Sequence, residues 1–153
     1  MQLTTFTDYT LRVLISVGAN DTDEPCTIPA ISRQYGISKN HLVKIVYHLS
    51  QTGYLATSRG KGGGIRLAKP AEEIRIGEVI RDAENHFDIV PCSSAARTGD
   101  CAIEPACALK RILTEALKAF LSVTDKYTLA DLLRPRHKLQ LLLAVKGSAT
   151  HAR

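Results

Sequence analysis

With 153 residues, 44% of them hydrophobic, the chain fits one domain with an extension and is long enough to bury a core of its own. Its longest apolar runs, such as residues 139–145, fall far short of a membrane span, and MQLTTFTDYTLR lacks the basic, apolar and small-residue regions of a secretory signal, so a cytoplasmic protein is expected. The net charge of +5 is concentrated: residues 25–71 hold Arg33, Lys39, Lys44, Arg59, Lys61, Arg66 and Lys69 with no acidic residue, giving +7 there and −2 over the remainder.

A localised positive surface points to a polyanionic partner, with a solvated basic face as the alternative. At the N-terminus, Thr7 is read as the cap of a first helix extending to about Gly18, with Asp8 in the first turn, where a carboxylate suits the helix dipole. Leu11, Leu14, Ile15 and Gly18 share a face, which predicts that this helix packs against something. Asp8 and Arg12 lie one helical turn apart and read as a surface ion pair worth about a few tenths of a kcal/mol. The stretch NDTDEP (20–25) is a polar loop, and Cys26 after it reads as an incidental thiol.

From Thr27 the pattern becomes TIPAISRQYGISKNHLVKIVYHLSQTGYL. Thr27 or Ile28 begins a short helix with Pro29 in its first turn, Ile28 and Ile31 face inward, and Gly36 supplies the positive φ needed to leave it. Ser38 caps a second helix whose Leu42, Ile45, Val46 and Leu49 follow helical spacing until Gly53. Two helices joined by a short glycine-containing turn make a helix-turn-helix, with the second placed to enter the major groove. Its exposed face is expected to carry Lys39, Asn40, His41, Lys44 and His48, the early residues together with Ser38 being the best placed to reach phosphates and base edges. YLATS (54–58) and IRL (65–67) are short strands around RGKGGG, a flexible basic loop shaped like a wing. Arg59 and Lys61 suit a narrow minor groove, and the amides of Gly62 and Gly63 suit phosphates. A nucleotide-binding loop is excluded, because GKGGG has neither the GxxxxGK[ST] nor the GxGxxG spacing. The expected fold is mainly α with a small β-hairpin wing: a winged helix-turn-helix over residues 1–83.

Pro70 closes the wing and Ile74–Ala83 reads as an amphipathic helix on the same domain. Residues 84–104 form a loop, and Pro105 reads as an early residue of a helix of about twenty residues carrying Leu109, Ile112, Leu113, Ala116, Leu117, Phe120 and Leu121 at helical spacing. That stripe is broader than one small domain needs, so a two-fold dimer interface over 105–135 is expected, matching symmetric half-sites in DNA. Tyr127–Leu133 reads as a short closing helix, and 136–153 as a partly disordered tail in which LQLLLAV has no assigned role.

The stretch PCSSAARTGDCAIEPAC (91–107) places Cys92, Cys101 and Cys107 in a run too poor in apolar side chains to fold on its own core. In a reducing compartment clustered cysteines more often bind metal or do redox chemistry than form disulfides, and soft thiolates suit iron-sulfur clusters or zinc. A zinc-stabilised winged helix stays open as an alternative, although structural zinc usually uses CxxC-like pairs, and four unrelated thiols remain the plain alternative. A thiol oxidoreductase would need a CxxC-type pair, and no Ser/His/Asp or metal-hydrolase motif is present, so the chain does not read as an enzyme.

Taken together, ISKNHLVKIVYHLSQTGYL, SRGKGGGIRLAKP and the cysteine triplet before a long helix resemble the Rrf-two family of bacterial winged-helix regulators over about residues 1–135. The resemblance implies a homodimeric repressor that holds a 4Fe-4S cluster through Cys92, Cys101 and Cys107, with a 2Fe-2S form possible after partial loss. In the nitric-oxide-sensing branch the fourth ligand is an aspartate near the N-terminus of the other subunit, and Asp8 stands at that position. In the branch that regulates cluster assembly a histidine three residues after the last cysteine completes the site; here that residue is Lys110. The implied signal is therefore nitric oxide, with loss of the cluster releasing a palindromic operator. A relative sensing iron-sulfur status or redox is the alternative.

Overall fold

The computed structural model describes residues 2–20, 25–60, 62–90 and 101–149, the last five of these as backbone only. Helix α1 (Thr5–Ala19) opens on Thr4, whose hydroxyl accepts the Thr7 amide at 3.3 Å. Thr4 therefore provides the cap expected of Thr7. An extended Thr4 can turn its hydroxyl back onto the first turn, whereas Thr7 already lies inside the helix, fully buried, 3.1 Å from the Thr4 hydroxyl. The inward face is set by Thr10, Val13, Leu14 and Val17, with Leu11 and Ile15 only half-buried beside it.

The helix-turn-helix follows the expected boundaries. Thr27 caps α2 (Ile28–Tyr35) through the Ala30 amide, and Gly36 leaves it at φ +68°, a conformation that costs any residue with a Cβ. Ser38 then caps α3 (Lys39–Gln51) through the His41 amide at 3.3 Å. Leu42, Ile45, Val46 and Leu49 face the core along with Ile31 of α2 and Val13 and Leu14 of α1. Strands β1 (Leu55–Ser58) and β2 (Gly64–Leu67) pair antiparallel from Leu55 opposite Leu67 to Ser58 opposite Gly64.

Two links tie this hairpin to the helices. The Cys26 backbone pairs with Ile65 in both directions, at 3.2 and 2.8 Å, so the chain entering α2 acts as a further edge on β2. At the other side Tyr54 donates to Asp82 at 2.6 Å while the Lys69 ammonium sits 4.5 Å from the Tyr54 ring centre. Burial, and then the Asp82 carboxylate that accepts its proton, push the Tyr54 phenol far above its ordinary range.

Helix α4 (Ile76–Ala83) begins two residues later than the sequence suggests. Ile74 is extended instead, accepting the Leu129 amide at 2.8 Å, while the Ile76 amide donates to the Tyr127 carbonyl at 2.9 Å. This short bridge brings the distant closing segment onto the domain. Helix α5 (Ala108–Thr124) also starts later than expected, because Pro105 belongs to a separate 3-10 turn over Glu104–Ala106. Among the described residues α5 contains no fully buried side chain. At its end the Arg81 guanidinium from α4 holds the Asp125 carboxylate at 2.6 and 2.7 Å.

Helix α6 (Leu129–Leu132) is fixed by a reciprocal capping box between Thr128 and Asp131. Hydrogen bonds from the Thr128 backbone and hydroxyl hold the Asp131 carboxyl below the usual carboxylate range. Leu129 is fully buried and Leu133 nearly so, which places the closing helix in the core of the winged domain. The tail expected to be partly disordered forms, as far as residue 149, helix α7 (Arg136–Ala149). Leu139 and Leu143 pack on the core, Gln140 donates to the Ala19 carbonyl at 2.9 Å, and Arg136 reaches the Gly18 carbonyl at 3.4 Å. These side chains satisfy the open C-terminus of α1, which has no basic residue in its own last turn. No helix among the described residues is long and apolar enough to cross a membrane.

Because Leu129 joins the closing segment to the core at a fully buried position, Leu129→Ala is expected to lower the unfolding free energy of the cluster-free protein by about 2–5 kcal/mol. Urea titration followed by circular dichroism measures the loss.

Candidate nucleic-acid face and cysteine centre

Ser38, Lys39, Asn40, His41 and Lys44 all lie exposed along the start and outer side of α3, as the sequence suggests. His48 does not. It turns toward α1, is half-buried and meets Phe6 edge-on at 5.3 Å and 76°, leaving its Nε2 buried with no hydrogen-bond partner among the described residues. Apolar packing on α1 outweighs the polar character that suggested an exposed position. Two turns earlier His41 lies 6.1 Å from the Tyr9 ring. Phe6 and Tyr9 therefore place two aromatic contacts from α1 against α3, and the fully buried Thr10 hydroxyl, also unpartnered, lies on the same helix.

Val43 and Tyr47 occupy the outer face of α3 as well, 53% and 67% exposed. Sequence reading overlooked both because apolar and aromatic residues are ordinarily assigned inward. The signal was available in the spacing: 40, 43, 44 and 47 form a helical stripe directly opposite the buried 42, 45, 46 and 49.

The wing tip is a turn closed by the Gly63 amide donating to the Gly60 carbonyl at 2.9 Å. A Cβ at Gly63 would lie 2.5 Å from the Ser58 carbonyl oxygen and 2.8 Å from the Arg59 carbonyl carbon, so the crook admits only glycine. Arg59 and Gly62 are exposed and Gly63 is half-buried; Lys61 lies outside the described residues.

At the other site, Cys101 and Cys107 are both half-buried and flank the 3-10 turn over Glu104–Ala106. The Glu104 amide donates to the Cys101 carbonyl at 3.0 Å and the Cys107 amide to the Glu104 carbonyl at 3.2 Å, so consecutive turns join the two thiols. Cys107 stands at the cap position of α5, where the helix dipole favours negative charge. A cavity of about 460 Å³ beside it is lined by Lys110, Arg111, Thr114, Glu115 and Lys118. Thiolate donors in this cationic setting suit an anionic iron-sulfur centre. Lys110 is paired with Glu104 at 2.7 Å and, as an ammonium, offers iron no lone pair. Cys92 lies outside the described residues.

Asp8 is half-buried on α1, with the Arg12 Nε 3.0 and 2.9 Å from its two carboxylate oxygens, and the Arg12 guanidinium carbon is 5.7 Å from the Tyr35 ring centre. Among the described residues no three His, Cys, Asp or Glu side chains converge as a metal site within one chain, so Asp8 does not join Cys101 and Cys107 of its own subunit. Cys26 is a half-buried thiol directed at the Ser16 carbonyl 3.7 Å away, and burial pushes it toward the protonated form.

Comparison with known proteins agrees with this layout. The model of the Rrf2 family, described as an iron-dependent transcriptional regulator, matches residues 3–135. The HTH-type transcriptional regulator NsrR of Bacillus subtilis (strain 168) is 50% identical over 146 residues, covering 95% of this chain and 99% of that protein. The regulator of the same name from Geobacillus kaustophilus (strain HTA426) is 50% identical over 143 residues, covering 94% and 97%. The crystal structure of a transcriptional regulator from Listeria innocua superposes with a TM-score of 0.71 at 27% identity, covering 88% and 87% of the two chains. A helix-turn-helix with a basic wing, thiols at the head of a long helix and a family match across nearly all of the described fold give one conclusion: the chain is a transcriptional regulator of the Rrf2 family.

Proposed function

We propose that this regulator is a homodimeric repressor that senses nitric oxide through a 4Fe-4S cluster held by Cys92, Cys101 and Cys107 of one subunit and Asp8 of the other. The observation that carries this reading is the uncovered apolar side of α5, with Leu109 58% and Ile112 54% exposed directly after Cys107. A lone subunit would leave that stripe in water, whereas a second copy covers it and completes the ligand set. The identity to regulators named NsrR supports the same assignment.

When bound, the cluster supplies an iron at which nitric oxide competes with a hard and comparatively weak carboxylate ligand. Arg12 gives Asp8 a place to go, since its guanidinium already holds both carboxylate oxygens. Asp8 shares α1 with Phe6 and Tyr9, and these rest on His48 and His41 of the recognition helix. A shift of α1 is thereby conveyed to α3. A coupling of about 1–3 kcal/mol through this seam changes operator affinity by roughly 5- to 150-fold.

The wing and the N-terminal turn of α3 supply the DNA contacts: Ser38, Lys39, Asn40, His41 and Lys44 in the major groove, and Arg59, Lys61, Gly62 and Gly63 along the adjacent backbone and minor groove. The zinc-stabilised reading predicts a colourless protein and no response to nitric oxide.

The deciding experiment adds nitric oxide stepwise to anaerobic, cluster-loaded protein bound to a duplex selected from a random library. Absorbance loss and duplex release should follow one titration curve, and release without bleaching, bleaching without release, or a zinc-loaded preparation would overturn the assignment. Asp8→Ala should still assemble a brown protein with an altered visible spectrum and altered nitric oxide stoichiometry; an unchanged spectrum and unchanged reactivity remove Asp8 from the ligand set. Arg59→Ala should weaken duplex binding and reduce the slope of log K against log salt by about one, and an unchanged slope would take the wing off the DNA.

A further inference from the structure

The outward stripe of α3 contains two residues that phosphate attraction does not explain. Asn40, Val43, Lys44 and Tyr47 repeat at helical spacing, diametrically opposite the buried Leu42, Ile45, Val46 and Leu49. Val43 has no polar atom beyond its backbone, yet is 53% exposed within a segment that carries seven basic residues and no acid. Charge complementarity fixes the occupant of this stripe as a nucleic acid duplex, for a protein surface seated here would have to bury Lys44 and the exposed Lys39 as well. The DNA major groove presents just one apolar group, the 5-methyl of thymine.

We propose that Val43 reads a thymine 5-methyl group in each half-site, flanked by Asn40 one turn earlier on the base edges and Tyr47 one turn later, its phenol directed to the sugar-phosphate backbone. The inference rests on the DNA-binding role argued above and deepens it by naming a specificity residue. Chemistry favours Val43 over Tyr47 for the methyl. A β-branched side chain is stiff and short, so its two methyl groups hold one position over the groove floor. A tyrosine carries its hydroxyl outward on a long ring and suits the backbone. Asn40 and Lys44 supply the hydrogen bonds a methyl contact cannot, and the methyl contact reads the one feature of thymine that no hydrogen-bond donor senses.

Replacing each thymine of the selected duplex in turn by deoxyuridine removes one methyl and nothing else. Cluster-loaded native protein should lose about three- to five-fold in affinity at one thymine in each half-site, the worth of one methyl taken out of water. Val43→Ala should bind the unmodified duplex more weakly and show no further loss on that uracil substitution. Val43→Thr, which keeps one methyl, should retain part of the penalty, and Lys44→Ala should retain all of it while lowering the slope of log K against log salt by about one. A native protein indifferent to every uracil substitution, or a Val43→Ala variant that keeps the full penalty, overturns the assignment while leaving DNA binding in place. Sedimentation of the same variants addresses a second copy as occupant: dissociation of the dimer by Val43→Ala would assign the stripe to a subunit interface and overturn the thymine reading. Failure of the native protein to select any duplex would sink the DNA-binding role itself, and this inference with it.

Discussion

The seam between α1 and α3 is the constraint on which the remaining structure depends. The recognition helix reaches solvent on one side only because its other side is pressed against α1 by Leu42, Ile45, Val46 and Leu49 on Val13, Leu14 and Val17. Phe6 and Tyr9 extend the same contact to His48 and His41 at the margin of the exposed face of α3. Apolar burial of this kind fixes orientation as well as stability, because close-packed side chains have few alternative arrangements. Within the seam His48 Nε2 and the Thr10 hydroxyl are buried without a hydrogen-bond partner among the described residues.

Everything else braces that seam. The hairpin is held by Cys26 on one edge and by Tyr54 on the other, and the closing segment returns from residue 127 to pair with Ile74. Helix α7 then covers α2 and ends α1 by supplying donors to the Gly18 and Ala19 carbonyls. Helix α5 stands apart from this economy: its apolar residues find little cover within the subunit, and its end is tied through an exposed ion pair of modest strength.

How far the sequence foretold this follows from the range of the forces involved. Thr27, Pro29, Gly36 and Ser38 act on their nearest neighbours, so the helix-turn-helix could be read to within a residue or two. The wing was legible because glycine-rich turns between short strands are also local. Errors arose where a distant partner decides the outcome. Ile74 left the helix because Leu129 pairs with it, and His48 turned inward because Phe6 is there. The C-terminal helix was missed because its leucines have no single apolar face: Leu139 and Leu143 pack while Leu141 and Leu142 remain exposed. Cys101 and Cys107 were singled out by residue type and spacing, whereas the proposed fourth ligand, Asp8 of a second copy, came from the resemblance alone. Val43 and Tyr47 show the opposite lesson, since their pattern was present and the usual inward assignment of apolar residues concealed it.

The crook at Gly63 has a further consequence for how such a regulator can change over time. Its outline is dictated by main-chain approach to Ser58 and Arg59, braced by the Ser58 hydroxyl that accepts the Gly64 amide at 3.3 Å, and does not involve the Arg59 side chain. Placement of the tip and choice of what the tip touches are therefore written at separate positions. Substitutions at Arg59 can alter the chemistry offered to a groove while the loop keeps its trajectory, and a single added methyl at residue 63 would displace the trajectory while leaving that chemistry untouched. Divergence among wings of this shape should consequently be found in their charges before it is found in their glycines.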